Sequence, residues 1–164
     1  MDKNLVTIIM GSESDFEFCE KIGDILEKYQ VPYKYRVASA HKTPEKVLGI
    51  LKEDTKENLN LVYITVAGRS NALSGFVDFN THRPVIACSP YSDKFAGVDI
   101  FSTLRMPSGS GLTTVLEPEA AALAAVKILG VKEKELARKI AKEQNQSRAK
   151  IDKADKEVAK YGKR

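Results

Sequence analysis

Three short apolar runs, LVTIIM (5–10), LVYITVA (61–67) and PVIACS (84–89), restrict what this chain can fold into. Each is rich in β-branched residues, and polar residues do not alternate through them. A strand that is apolar on both faces must be covered on both faces, which is the situation in a parallel sheet flanked by helices. Between the runs the pattern turns helical. Phe18, Ile22, Ile25, Leu26 and Tyr29 share one helix face, and Val47, Leu48 and Leu51 share another. Ser14 with Glu17 three residues on fits a capping box, and Thr43 before Pro44 fits a helix start. YKYRVA (33–38) reads as a strand, 71–79 as a short helix and TTVL (113–116) as a short fifth strand. EPEAAALAAVKILG (117–130) reads as a helix, with acidic residues at its start and Gly130 at its end, as helix dipole and capping preferences favour. Strands alternating with helices at this spacing predict an α/β chain. The expected form is a flavodoxin-like, three-layer doubly wound fold with a parallel sheet in order 2-1-3-4-5.

The last segment follows another rule. Ile140, Gln144, Ser147, Ile151, Ala154, Val158 and Tyr161 are spaced alternately four and three apart, a heptad-like seam on a long helix of low hydrophobicity. The expected organisation is a catalytic domain over 1–131 and a helical arm over 132–164 that packs on a neighbouring subunit. Charge divides at the same place. The arm holds 12 basic and 6 acidic residues, so the overall +4 belongs to it and the remainder is slightly acidic. Mixed signs along a helix describe a solvated face rather than a nucleic-acid footprint, and no nucleic-acid partner is expected. No run approaches the ~20 apolar residues of a membrane span, and no secretory pattern opens the chain, so a cytoplasmic protein without membrane contact is expected. Cys19 and Cys88 lie far apart with no metal-ligand or CxxC spacing, which fits two buried thiols in a reducing compartment.

In an open α/β sheet, ligands bind beyond the carboxyl ends of the strands, beside the switch in strand order. With this order, GSESD after strand 1, SAHK after strand 2 and AGRSN after strand 3 fall side by side, across about 10 Å. All three are rich in small and hydroxyl residues and lead toward helix N-termini, where backbone N–H groups favour an anion. Ser12, Ser14 and Ser39 can donate hydroxyl hydrogen bonds, and Lys42 can supply charge. Asp15 would repel a phosphate and suits a neutral diol instead. His41 is one of only two histidines; the other, His82, precedes strand 4 and is expected on the surface at the opposite end. Neither GxGxxG nor GxxxxGK[ST] is present, GxSxG is absent, and two histidines without a carboxylate cluster give no metal site. A further glycine-rich stretch, RMPSGSGLTT (105–114), permits close backbone approach to a ligand.

Four blocks together, MGSESD (10–15), SAHKTP (39–44), AGRSN (67–71) and MPSGSGLTTVL (106–116), resemble the blocks of the aminoimidazole ribonucleotide (AIR) carboxylase family of purine biosynthesis, in order and spacing. The resemblance runs from about residue 5 to 130, with the tail in keeping. The family has two branches. One rearranges N5-carboxy-AIR to 4-carboxy-AIR (CAIR), and the other adds CO2 directly to C4 of AIR. The mutase branch typically carries HRTP and a GGAAH-type third block. HKTP, AGRSN and PSGSG are similar to the direct carboxylase (class II) branch. The resemblance implies that Ser12, Ser39 and Lys42 hold the 5′-phosphate with Gly11, Ser14 and Ala40 beside them, and that Asp15 holds the ribose. It implies that Ala67, Gly68, Arg69, Ser70 and Asn71 line the base and CO2 pocket, and that Ser108, Gly109, Ser110 and Gly111 close over the substrate. It implies a homo-octamer, and chemistry with CO2 as substrate and without ATP, biotin or metal.

That chemistry needs one base. The enamine-like C4 of AIR attacks CO2, and the resulting centre must lose its proton to restore the aromatic ring. Histidine is the natural choice near neutrality, and His41 is the candidate. The rival expectations are the mutase and a non-enzymatic flavodoxin-like module binding FMN or another phospholigand. The loops lack the aromatics that would sandwich a flavin. A purely structural subunit would leave the serine and glycine loops unexplained.

Overall fold

The computed structural model describes residues 4–56 and 59–162. The outermost ends of the two expected segments, 1–3 and 163–164, lie outside the described residues. Five strands, β1 (Asn4–Met10), β2 (Tyr33–Val37), β3 (Asn60–Val66), β4 (Val85–Ala87) and β5 (Thr113–Thr114), form one sheet in order β2-β1-β3-β4-β5. Every pairing is parallel, and β1 and β3 run together over their full length, from Asn4 opposite Asn60 to Met10 opposite Val66. This is the predicted α/β, flavodoxin-like architecture. The fifth strand is only two residues long, shorter than the apolar run TTVL suggests.

Among the described residues six α-helices accompany the sheet: α1 (Phe16–Lys28), α2 (Pro44–Asp54), α3 (Ala72–Phe79), α4 (Phe101–Leu104), α5 (Pro118–Gly130) and α6 (Lys134–Val158). The strand alternation sorts two cores. Val6, Ile8 and Met10 of β1 with Val62, Ile64 and Val66 of β3 pack against α1 and α5. Ile9 of β1 with Leu61 and Tyr63 of β3 pack against α2 and α3. Period two puts successive side chains on opposite faces, so a strand covered on both sides reads as an unbroken apolar run. Cys19 on α1 and Cys88 after β4 are both buried in the first core, unbridged. Burial pushes each thiol up to about 12.

One polar cluster penetrates the second face. Asp54, in the last turn of α2, has a fully buried side chain that accepts from Thr7 Oγ1 at 2.8 Å and forms an ion pair with Lys34. It pins α2 to β1 and to the edge strand β2. Burial, and then the charge of Asp54, hold the Tyr63 hydroxyl above its ordinary range.

Three local expectations are corrected. The Ser14–Glu17 capping box does not form. A 3-10 turn over Glu13–Asp15 intervenes, Ser12 caps that turn, and α1 begins at Phe16. Thr43 does sit at the N-cap of α2, but its hydroxyl gives no cap bond and instead binds the backbone of Ser39. Gly130 is the last residue of α5 rather than a left-handed cap. A Cβ there would meet Ile140 Cδ1 at 3.4 Å and Ala137 N at 3.6 Å, ordinary contact distances, so the start of α6 packs directly over this residue.

The long C-terminal helix is continuous, and its two ends differ. Leu136 and Ile140 are buried in the main core. Glu143 accepts from Tyr29 Oη at 2.7 Å and pairs with Lys28 at 2.9 Å. Beyond this anchor Ile151, Val158 and Tyr161 are 70%, 69% and 85% exposed.

Candidate active site

The carboxyl ends of β1, β2 and β3 lie next to one another, and each strand passes directly into a short loop. Gly11 N donates to Val66 O at 2.9 Å and Ala38 N to Met10 O at 3.0 Å, so the ladder persists to the mouth of each loop. The three loops enclose one cavity of about 390 Å³. It is lined by Gly11, Ser12, Ser14, Asp15, Ser39, Ala40, His41, Lys42, Ala67, Gly68, Arg69 and Ser70. Leu73, from the first turn of α3, completes the wall. Sequence reasoning missed Leu73, because an apolar residue near a helix start reads as core.

The serines are pre-set by their own loops. Ser12 Oγ accepts from Ser14 N at 3.3 Å and from Ser14 Oγ at 2.8 Å. Ser39 Oγ accepts from Lys42 N at 3.3 Å. In these bonds Ser12 and Ser39 act as acceptors, which leaves their hydroxyl hydrogens to be donated elsewhere. Thr43 fixes the second loop: Ser39 N donates to Thr43 Oγ1 at 3.0 Å, and Thr43 N to Ser39 O at 2.8 Å. The side chains of His41 and Lys42 project from that closed turn, both exposed.

Charge in the cavity is arranged unevenly. Among the described residues, none of His41, Lys42, Arg69 and Asp15 takes part in an ion pair. Burial raises the Asp15 carboxyl above its ordinary range, while the Ser12 backbone and the Arg69 charge act in the opposite direction. The pocket therefore offers two cations and several hydroxyl donors to an anion, and one half-buried carboxylate to a hydroxyl-bearing group. No cluster of metal-ligand side chains occurs among the described residues.

Two expected groups stand elsewhere. Asn71 is buried as the N-cap of α3. Its Oδ1 accepts from Ser74 N at 3.1 Å, and its Nδ2 donates to Ser74 and Thr103. It does not line the cavity. Ser108–Gly111 do not line it either. Asp78 Oδ2, in the last turn of α3, accepts from Ser110 Oγ at 2.8 Å and from Gly111 N at 2.9 Å. Because α3 starts at the carboxyl edge of the sheet and runs back toward the start of β4, this anchor holds the loop away from its own chain's pocket. His82 is exposed ahead of β4, at the opposite end from the cavity.

Comparison with known proteins gives a concordant result. The family model described as AIR carboxylase matches residues 5–150. A phosphoribosylaminoimidazole carboxylase of Archaeoglobus fulgidus is 55% identical over 151 residues, covering 92% of this chain and 83% of that protein. A human bifunctional phosphoribosylaminoimidazole carboxylase/phosphoribosylaminoimidazole succinocarboxamide synthetase is 42% identical over 126 residues, covering 77% of this chain and 30% of that protein. The crystal structure of Treponema denticola PurE superposes with a TM-score of 0.92 at 46% identity, covering 94% of this chain and 98% of that one.

Proposed function

The chain belongs to the AIR carboxylase family, and from that premise we propose that it adds CO2 directly to C4 of AIR to give CAIR, without ATP or biotin. The observation that carries this reading is the single cavity in which Ser12, Ser39, Lys42, His41, Asp15 and Arg69 meet. The purine-biosynthetic carboxylase activity rests on family membership. The direct use of CO2 rests on the blocks HKTP, AGRSN and PSGSG.

The residues divide the work by their chemistry. Ser12 and Ser39 hydroxyls and the Lys42 ammonium hold the 5′-phosphate, and Asp15 accepts from the ribose hydroxyls. Anchoring the phosphate fixes the imidazole ring over Ala67, Gly68 and Arg69. C4 attacks CO2, a carbon–carbon bond forms, and negative charge develops on the new carboxylate. Donors preorganised around that charge lower the barrier most, a task for Arg69 and nearby backbone N–H groups. His41 then removes the C4 proton and returns it to solvent.

Incubation with AIR and bicarbonate in the absence of ATP tests the reading. Saturable CAIR formation is expected. No turnover under those conditions, with turnover of N5-carboxy-AIR, would assign the mutase reaction instead.

The working form is a homo-oligomer. Two features support this: the exposed apolar residues Ile151, Val158 and Tyr161 beyond the anchored part of α6, and the position of Ser108–Gly111 away from their own pocket. For that loop to close over a substrate it must do so in another copy. An octamer is the expected assembly, in the cytoplasm, where two free thiols persist. Light scattering that returned a monomer mass of about 18 kDa at micromolar concentration would refute the assembly.

A further inference from the structure

Arg69 lines the cavity with its backbone at φ +57°, a left-handed conformation that residues other than glycine rarely adopt. Such a conformation persists only where the surroundings over-determine it, and it is a pointer to function when the residue faces a pocket. Here the surroundings can be named. Ser102, on the four-residue α4, accepts from Asn71 N at 3.0 Å, and its hydroxyl lies 2.8 Å from the carbonyl oxygens of Arg69 and Asp99. One hydroxyl therefore grips the chain on both sides of Ser70. Thr103, next on α4 and fully buried, bonds Asn71 Nδ2 at 3.0 Å and Ser89 Oγ at 2.6 Å. Thr65 of β3 extends the cluster through Ser74 Oγ at 2.8 Å.

We propose that α4 is a brace for the active site, and that Ser102 is a positioning residue that holds Arg69 in its left-handed conformation and so aims the guanidinium into the cavity. The brace touches no substrate. It acts on the loop that follows β3 through residues that do not themselves line the cavity. This rests on the proposed role of Arg69 toward the developing carboxylate, and its geometry is testable apart from that role.

The test compares Ser102→Ala with Ser102→Thr. Ser102 borders an open cavity of about 420 Å³, so the extra methyl of threonine has room while the hydroxyl is kept. Ser102→Ala is expected to lower kcat for AIR carboxylation about tenfold with KM nearly unchanged, the cost of one lost hydrogen bond that aligns a charged group. Ser102→Thr is expected to restore most of it. In an Arg69→Ala background the Ser102→Ala change should cost nothing further, because the two act through the same group. Crystal structures of both variants give the independent reading: Arg69 φ turns negative in Ser102→Ala and stays near its present value in Ser102→Thr. Wild-type kcat in Ser102→Ala, an equal loss in the threonine variant, or an unmoved Arg69 would each overturn the brace. Failure of the wild type to carboxylate AIR would strike the functional reading alone and leave the backbone result to decide this one.

Discussion

Replacing His41 with asparagine is expected to abolish most turnover while leaving the protein able to bind AIR. Asparagine keeps a polar side chain of similar reach but cannot take a proton near neutrality. Loss of a positioned general base typically costs 10²- to 10⁴-fold, so kcat should fall by about that factor. KM for AIR should stay within a few-fold, because Ser12, Ser39 and Lys42, the residues proposed to hold the phosphate, are untouched. The closed turn that carries His41 is built from Ser39 and Thr43, so the substitution leaves the loop intact. Added imidazole should recover part of the activity through the exposed position of residue 41. A variant with kcat within threefold of wild type would remove His41 from the mechanism. The rival base in the cavity, Asp15, would then be the residue to change next.

The second large effect concerns the scaffold. Asp54→Ala is expected to lower stability by about 3 kcal/mol, the low end for breaking a buried charge pair. Two costs combine: Thr7, fully buried in β1, loses its acceptor, and Lys34 loses its counter-charge. Lys34 is 31% exposed and can turn to water, which keeps the loss from being larger. For a chain of this length that corresponds to a Tm lower by about 6–12 °C. Asp54→Asn should lose roughly half as much, because an amide oxygen still accepts from Thr7. Neither change touches the cavity, so KM for AIR should be unaffected in both. A shift in Tm below about 2 °C for Asp54→Ala would show that the cluster contributes little to stability.

How far the sequence could be read depended on how local each cause was. The strands were legible because burial on both faces removes polar residues from the run itself. The loops that line the cavity were legible for a related reason: in a parallel sheet the loops after neighbouring strands must share an edge, so Ser12, Ser39, His41, Lys42 and Arg69 converge by topology. Asn71 misled because a polar residue inside a loop of small residues looks the same whether it faces ligand or interior. Here it faces inward to Ser74 and Thr103. The place of Ser108–Gly111 is set by Asp78, 32 residues away from Ser110 in the chain, and nothing in the loop encodes that anchor. The Thr7–Asp54 bond is equally silent, since a threonine in an apolar run and an acid at a helix end are each ordinary alone. The capping box failed on one extra turn, because Ser12 took the capping role two residues earlier.

The two sealed thiols give the molecule a practical property. Both cysteines are wholly buried, and that burial raises each thiol well above its ordinary range, so little of the thiolate, the form that reacts, is present at neutral pH. The native chain is therefore nearly blank to maleimides and iodoacetamide while it remains folded. A cysteine written into an exposed position such as Ser108 would be the one site those reagents see. A fluorophore placed there would report on the glycine-rich loop directly, with no background from the fold and no native residue to remove first.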